Sequence, residues 1–287
     1  QDNYWRDLSQ VYLFRINEEL QKKDLSQEQM SQNVSNLISA LVASAKASSD
    51  SSPKNVANWS IRGYVYTNIL GLIQGADEWA IKAYEEAIKL EPNNPFTYTA
   101  LGQIYATRAD DLAQNKDKVK ERQDALDTAR QNFQKAQDLK SDYAPARFQL
   151  AMIDIREEKI KDAITKLEDT KTIAPFDTGL AFQLGLIYQA DSQLDKAQAE
   201  FERAVVLDPN YANARYFLGL LYDQQGKKDQ ALEQFKKISE LNPDNATIKQ
   251  IIANLQAGKK ALDGLTQAEQ PPIQEKPAEQ LPSPSPS

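Results

Sequence analysis

The chain of 287 residues contains no cysteine and no histidine. These absences exclude disulfide bonds, thiolate metal sites and any nucleophile–base pair that uses either residue. A chain without cysteine suits a location outside the cytoplasm. No run of apolar residues reaches the ~18 residues that a membrane-spanning helix requires, so we expect no insertion of this segment into a membrane.

Positive charge is also in short supply. The chain has 34 Lys and Arg residues against 41 Asp and Glu residues, and the basic residues are scattered among the acidic ones. No basic stripe is present that could neutralise phosphates, so we expect no nucleic-acid partner. The sequence also lacks a G-x-S-x-G motif and a glycine-rich phosphate loop. We therefore predict that the protein is not an enzyme and has no catalytic residue, cofactor or metal site.

What the sequence does contain is a repeat of 34 residues between positions 144 and 245. Five positions recur in this register: a Leu, a small residue, an Ala, a bulky apolar residue and a Pro. Self-similarity at such a period is the signature of stacked structural repeats. In chain order these positions are Leu150, Ala151, Ala163, Leu167 and Pro175, then Leu184, Gly185, Ala197, Phe201 and Pro209, then Leu218, Gly219, Ala231, Phe235 and Pro243.

Each repeat contains two helical patterns. Apolar or small residues follow the spacing i, i+3, i+4, i+7 in both halves of the repeat, which predicts two amphipathic helices. The Pro ends the second helix because it has no N–H to donate. In residues 178–211 the two stripes are Ala181, Leu184, Gly185 and Tyr188, and Ala197, Phe201, Ala204 and Leu207. The small residues allow the two helices to approach closely, so each repeat is predicted to be a helical hairpin.

These repeats resemble the tetratricopeptide repeat (TPR) family. The resemblance is carried most clearly by Leu218, Gly219, Tyr222, Ala231, Phe235 and Pro243, and by their counterparts one repeat earlier. It implies an all-α fold: a right-handed superhelix, or α-solenoid, of about five to six hairpins with a C-terminal capping helix. A looser resemblance links the chain to the C-terminal TPR region of long bacterial envelope-associated proteins.

The register extends upstream with insertions. We predict a degenerate, elongated hairpin at 2–55, a hairpin with a short insertion at 56–94, and one with a long insertion at 95–143. Regular hairpins follow at 144–177, 178–211 and 212–245, then a capping helix at 246–262 and a disordered Pro/Ser/Gln-rich tail at 263–287. The long insertion is expected to form two lengthened helices or a protruding turn.

The resemblance also implies that the first helix of each hairpin lines a concave face. Residues on these helices that lie about 100° away from the hairpin stripe would face this concave side. Their side chains predict an apolar groove for a peptide or protein partner. The alternative is that the same side chains pack between adjacent first helices. The groove residues are Phe148, Met152, Ile155, Phe182, Leu186, Gln189, Tyr216, Leu220, Asp223, Thr99 and Gln103.

Two further interpretations concern function. The leading hypothesis is a non-catalytic scaffold for protein–protein interaction. The alternative is a structural spacer, or a docking or self-association arm, of a larger bacterial protein that is tethered to a membrane through a region upstream of Gln1. In the second case a homo-oligomer would form through the N-terminal repeat, because an unfinished repeat exposes an apolar face. Arg147 and Arg215, 68 residues apart, either contact an acidic partner or are solvated.

Overall fold

A computed structural model describes residues 2–22 and 25–265 of the chain. These residues form thirteen α-helices and one short 3₁₀ turn, with no β-strand among them, which confirms the predicted all-α class. No helix in these two ranges is both long and apolar enough to cross a membrane. The helices are α1 (Asp2–Leu20), α2 (Gln27–Ser51), α3 (Val56–Asn68), α4 (Ala76–Leu90), α5 (Pro95–Leu112), α6 (Val119–Leu139), α7 (Ala144–Arg156), α8 (Ile160–Ile173), α9 (Thr178–Ala190), α10 (Leu194–Leu207), α11 (Ala212–Gln224), α12 (Lys228–Leu241) and α13 (Ala246–Gln256).

The helices fall into two compact units, one that ends at Glu157 and one that begins at Glu158. In the first unit α1 packs on α2, α3 on α4, and α5 on α6, and each pair also contacts the helix that follows it. In the second unit α9 packs on α10 and α11 on α12, while α8 contacts α9 and α12 contacts α13. Each unit is therefore a stack of helical hairpins, as the repeat pattern predicts.

Local chemistry sets where these helices begin and end. Side chains of Asn or Asp accept a backbone N–H from the first turn of four helices, which satisfies a donor that has no partner inside the helix. Three helices end two residues before a Pro of the repeat, namely α8, α10 and α12. The capping side chains are Asn55, Asn94, Asp177 and Asn245.

The long insertion is accommodated by longer helices. α5 has 18 residues and α6 has 21, whereas α9 and α10 have 13 and 14. A 3₁₀ turn at Lys116–Lys118 connects the two long helices. The first hairpin is elongated in the same way, with 19 residues in α1 and 25 in α2.

A contact between a glycine and an aromatic ring recurs inside the hairpins. A Cβ on Gly185 would lie 2.5 Å from Cδ1 of Phe201, closer than van der Waals contact allows, so only glycine fits beside this ring. The small residue and the aromatic residue of the repeat are therefore complementary in volume, as the sequence predicts. The four pairs are Gly63 with Tyr84, Gly102 with Phe133, Gly185 with Phe201, and Gly219 with Phe235.

A second recurring contact links neighbouring hairpins of the second unit. The hydroxyl of Tyr188 donates to Glu168 Oε1 at 2.7 Å, and the hydroxyl of Tyr222 donates to Glu202 Oε1 at 2.8 Å. Burial and the neighbouring carboxylate both favour the neutral phenol. They raise the pKa of Tyr222 from its ordinary value of 10.0 to about 12, and they raise the pKa of Tyr188 as well.

The capping helix is shorter than predicted. It ends at Gln256 rather than at 262, because Gly258 adopts a positive φ of 75° just beyond the helix end, a common way to terminate a helix. The chain then turns back, and the side-chain amide of Asn254 donates to the carbonyls of Ala261 and Asp263. Residues 263–265 belong to this turn, so the tail cannot start at 263 as predicted. Residues 266–287 of the predicted tail lie outside the described residues.

The glycine–aromatic contact generates a stability prediction. Gly185→Ala should lower the free energy of unfolding by about 1–3 kcal/mol, because the new methyl group overlaps the Phe201 ring. Gly179→Ala, on the exposed first turn of the same helix, is the control and should stay within about 1 kcal/mol of the wild type. Urea unfolding followed by circular dichroism measures both.

Adding Phe201→Leu tests whether this contact is the cause. The repeat at 144–177 has Ala151 in the glycine position and Leu167 in the aromatic position. The double variant of Gly185→Ala with Phe201→Leu should therefore cost less than the sum of the two single changes. Strictly additive costs would show that the ring does not limit the size of residue 185.

The tyrosine–carboxylate contacts generate a pH prediction. The pKa of Tyr222 is higher in the folded state than its ordinary value of 10.0, so the neutral phenol contributes its full stabilisation of the fold below pH 10. This contribution is lost as the pH rises toward about 12. The free energy of unfolding should therefore fall over this range, and less steeply in Tyr222→Phe. Tyr4→Phe, at a tyrosine that is 61% exposed, is the control. An unchanged slope in Tyr222→Phe would contradict the assignment.

Candidate functional site

The predicted groove residues of the second unit do not all face a surface. Phe182 is 9% exposed and Tyr216 is 6% exposed. The Phe182 ring lies 5.1 Å from that of Tyr211 and 5.7 Å from that of Phe217, measured between ring centroids, and Tyr216 contacts Phe217 and Phe235. The prediction that these two rings line a groove is wrong, because α9 is apolar on nearly all sides and a helix of this kind is buried by its neighbours.

Asp223 is also a structural residue. Its carboxylate is 6% exposed, and its Oδ2 accepts the backbone N–H of Ala261 at 2.9 Å. The carboxylate therefore holds the turn after α13 against α11, and its predicted place in the groove is wrong.

The remaining groove residues are half-buried. In the second unit these are Leu186, Gln189 and Leu220, and in the first unit they are Phe148, Met152, Ile155, Thr99 and Gln103. The hydroxyl of Thr99 donates to the carbonyl of Pro95 at 2.9 Å, so it is occupied within its own helix. Whether these residues contact a partner stays a prediction.

The two recurring arginines have a structural role in the turns between hairpins. Arg147 Nε donates to the carbonyl of Ser141 at 2.9 Å, and Arg215 Nε donates to the carbonyl of Pro209 at 2.7 Å. In both cases the acceptor lies six residues earlier, and Trp59 Nε1 makes the equivalent bond to Pro53 at 2.8 Å. These side chains satisfy turn carbonyls, which explains their recurrence without a partner.

A different surface combines the features of a binding site. In the first unit, side chains from three helices enclose an open pocket of about 520 Å³, which we call the tryptophan pocket. Each helix contributes residues from a single face, at spacings of three, four or seven. The lining residues are Val42 and Lys46 of α2, Trp59, Arg62 and Tyr66 of α3, and Trp79, Lys82, Ala83 and Glu86 of α4.

Aromatic rings of α3 and α4 line the tryptophan pocket. Tyr66 is 3% exposed, and its ring meets that of Trp79 edge to face, with 5.5 Å between centroids. Trp79 is 40% exposed, although large apolar side chains are usually buried in a core. Trp59 is held by its bond to the carbonyl of Pro53. The pocket therefore presents a fixed aromatic surface to solvent.

Positive charge surrounds these rings. The guanidinium carbon of Arg62 lies 5.3 Å from the ring centroid of Trp59 and 5.6 Å from that of Tyr66, which is within the range of cation–π contacts. Lys46 and Lys82 add two exposed ammonium groups. The only carboxylate in the lining, Glu86, is bound to Lys89 at 2.6 Å. The lining thus carries an excess of positive charge in a chain whose net charge is −7.

Sequence reasoning missed this pocket. Trp59 lies in one stripe with Gly63 and Tyr66, at the spacing i, i+4, i+7 of a hairpin's first helix, and Trp79 directly precedes Ala80 on the second helix. A tryptophan beside the core stripe of a helix was the available signal. The lysines and Arg62 gave none, because only the packing of α2, α3 and α4 brings them together.

Comparison with known proteins supports the repeat assignment. A profile described as "Tetratricopeptide repeat" matches residues 188–255, and one described as "TPR repeat" matches residues 72–107. These two segments carry tetratricopeptide repeats. No curated protein matches this chain.

Solved structures with the same helical-repeat fold include PilF of Pseudomonas aeruginosa, which is 14% identical, with a TM-score of 0.53 over 88% of this chain and 99% of its own. Another is the APC/C hetero-tetramer Cut9–Hcn1, at 16% identity and a TM-score of 0.55, covering 79% of this chain and 41% of the matched one. MamA from Desulfovibrio magneticus RS-1 is 25% identical, with a TM-score of 0.48 over 64% of this chain and 97% of its own. The likeness to PilF and to Cut9–Hcn1 concerns the fold.

The burial of Phe182 generates a further prediction. Phe182→Ala should lower the free energy of unfolding by about 3–5 kcal/mol, as expected for removal of a buried aromatic side chain. Val206→Ala, at a side chain that is 78% exposed, should change it by no more than about 0.5 kcal/mol. Thermal and urea unfolding measure the two variants side by side. A loss below about 1 kcal/mol for Phe182→Ala would place that ring on a surface.

Proposed function

We propose that this TPR chain is a non-catalytic scaffold for protein–protein interaction, and that the tryptophan pocket of the first unit is its binding site for a peptide segment of a partner. Stacked helical repeats expose extended surfaces that bind other proteins. The two segments that match tetratricopeptide repeat models support the general role, and the pocket supports this particular site.

One observation carries the proposal: two of the three tryptophans of the chain line a single open pocket together with Arg62 and Tyr66. Trp, Tyr and Arg are the residues that dominate binding energy at protein interfaces. A partner side chain placed between Trp59 and Trp79 would lose its contact with water, which is worth about 1.5–3 kcal/mol for a fully buried apolar side chain. The costs of association reduce this gain, so we expect weak to moderate affinity.

The groove of the first helices is the competing site. Without Phe182, Tyr216 and Asp223, its members in the second unit are Leu186, Gln189 and Leu220, which are only half-buried. It offers less aromatic surface than the tryptophan pocket, and for this reason we place it second.

Self-association is the alternative role, and it is favoured by the exposed face of α1. Tyr4, Val11 and Phe14 are 61%, 51% and 63% exposed, and their spacing places them within one side of the helix. A second copy of the chain would cover this apolar stripe. Light scattering over a range of concentrations distinguishes this role, since a monomer at every concentration would exclude it.

Selection from a random peptide library tests the proposed binding site. Peptides selected on the full chain should bind Trp79→Ala about tenfold more weakly or worse, a loss of about 1.4 kcal/mol. Leu186→Ala should retain their binding. Circular dichroism melting must first show that both variants are folded. Selected peptides that bind Trp79→Ala normally but fail on Leu186→Ala would assign the site to the groove of the first helices.

A further inference from the structure

We infer that the partner segment of the tryptophan pocket is acidic and extended, with proline or other apolar residues interleaved with Asp or Glu. The inference rests on the proposed function, because it concerns the ligand of the same pocket. It is carried by the charges of the lining residues, by the fixed position of Arg62 and by the exposed indole of Trp79.

The sign of the charge is specific to this pocket. Three cationic side chains line it against one carboxylate, which is bound to Lys89, and Asp50 lies outside the lining at 3.7 Å from Arg62. A second open pocket of the first unit, of about 550 Å³, has the opposite character: five of its lining residues are carboxylates and two are cationic. A segment with negative charge is therefore attracted to the tryptophan pocket and repelled by the second one. The five carboxylates are those of Asp77, Glu78, Asp111, Glu121 and Asp124.

Arg62 is prepared to receive a carboxylate. Its Nε donates to the hydroxyl of Tyr66 at 3.1 Å, and one terminal nitrogen donates to Ser49 Oγ at 2.9 Å. The same nitrogen lies 3.7 Å from Oδ1 of Asp50. These contacts and the two aromatic rings fix the guanidinium plane, so less side-chain entropy is lost when a ligand binds. Lys46 and Lys82 provide additional charge from the opposing helices α2 and α4.

An extended segment suits the aromatic lining better than a helix. A helical ligand needs anchor positions along several turns, whereas this open pocket is lined by only nine residues from three helices. Proline-containing segments are extended before they bind, and aromatic-lined grooves are the surfaces that bind them. Stacking of a proline ring on Trp79 would place the flanking carboxylates among the three cations.

Synthetic peptides of repeated Pro-Pro-Glu test this inference on the full chain by isothermal titration calorimetry. Peptides of repeated Pro-Pro-Lys control for the sign of the charge, and peptides of repeated Gly-Ser-Glu control for proline. We expect binding of the Pro-Pro-Glu peptide alone, weakened by added salt. The double variant of Lys46→Glu with Lys82→Glu should weaken binding by about tenfold or more. The double variant of Lys116→Glu with Lys120→Glu, an equal charge change at exposed positions outside the pocket, should leave it within about twofold.

The possible outcomes separate this inference from the proposed function. If Pro-Pro-Lys binds as well as Pro-Pro-Glu, or if Gly-Ser-Glu does, the inference is overturned, while Trp79-dependent binding of library peptides would still support the scaffold. If Pro-Pro-Glu binds Trp79→Ala and the lysine variant unchanged, the pocket is not its site and the inference is again overturned. If the library also yields no peptide that depends on Trp79, the proposed site falls as well.

Discussion

The close approach of two helices across a glycine is the constraint on which four of the hairpins depend. In four hairpins an aromatic ring of the second helix lies where a Cβ on the glycine of the first would be. This contact turns one face of each helix inward and gives the hairpin a defined separation. The other faces are then available for packing against the next hairpin or for exposure to solvent, and every further property of the chain depends on how those faces are used.

In the second unit the large aromatic side chains of the first helices are used for packing, while Leu186, Gln189 and Leu220 stay half-buried. Phe182 and Tyr216 join rings of the same and the following hairpin, and Tyr222 binds a glutamate of the preceding one. In the first unit the packing of helices α2, α3 and α4 leaves Trp59, Arg62 and Trp79 around an open pocket. The difference explains why the candidate site lies in the less regular part of the chain, where the family resemblance is weaker.

The hairpins could be predicted from sequence because the evidence for them repeats. Gly185 and Phe201 have counterparts at Gly219 and Phe235, so a chance match is excluded by recurrence. The groove could not be predicted in the same way, since an apolar residue beside the core stripe is compatible both with a neighbouring helix and with a ligand. The end of α13 depends on the backbone conformation of Gly258, and the tryptophan pocket depends on side chains from three helices that only tertiary packing brings together.

The separation of the paired residues along the chain has a consequence for how such a protein changes in length. Gly185 and Phe201 are 16 residues apart, whereas Gly63 and Tyr84 are 21 apart and Gly102 and Phe133 are 31 apart, yet the contact is the same in each case. Additional residues therefore accumulate at the hairpin tip without disturbing the helix interface. The tips are the natural positions for grafting a foreign sequence, such as an epitope or a fluorescent reporter, into an array of this kind.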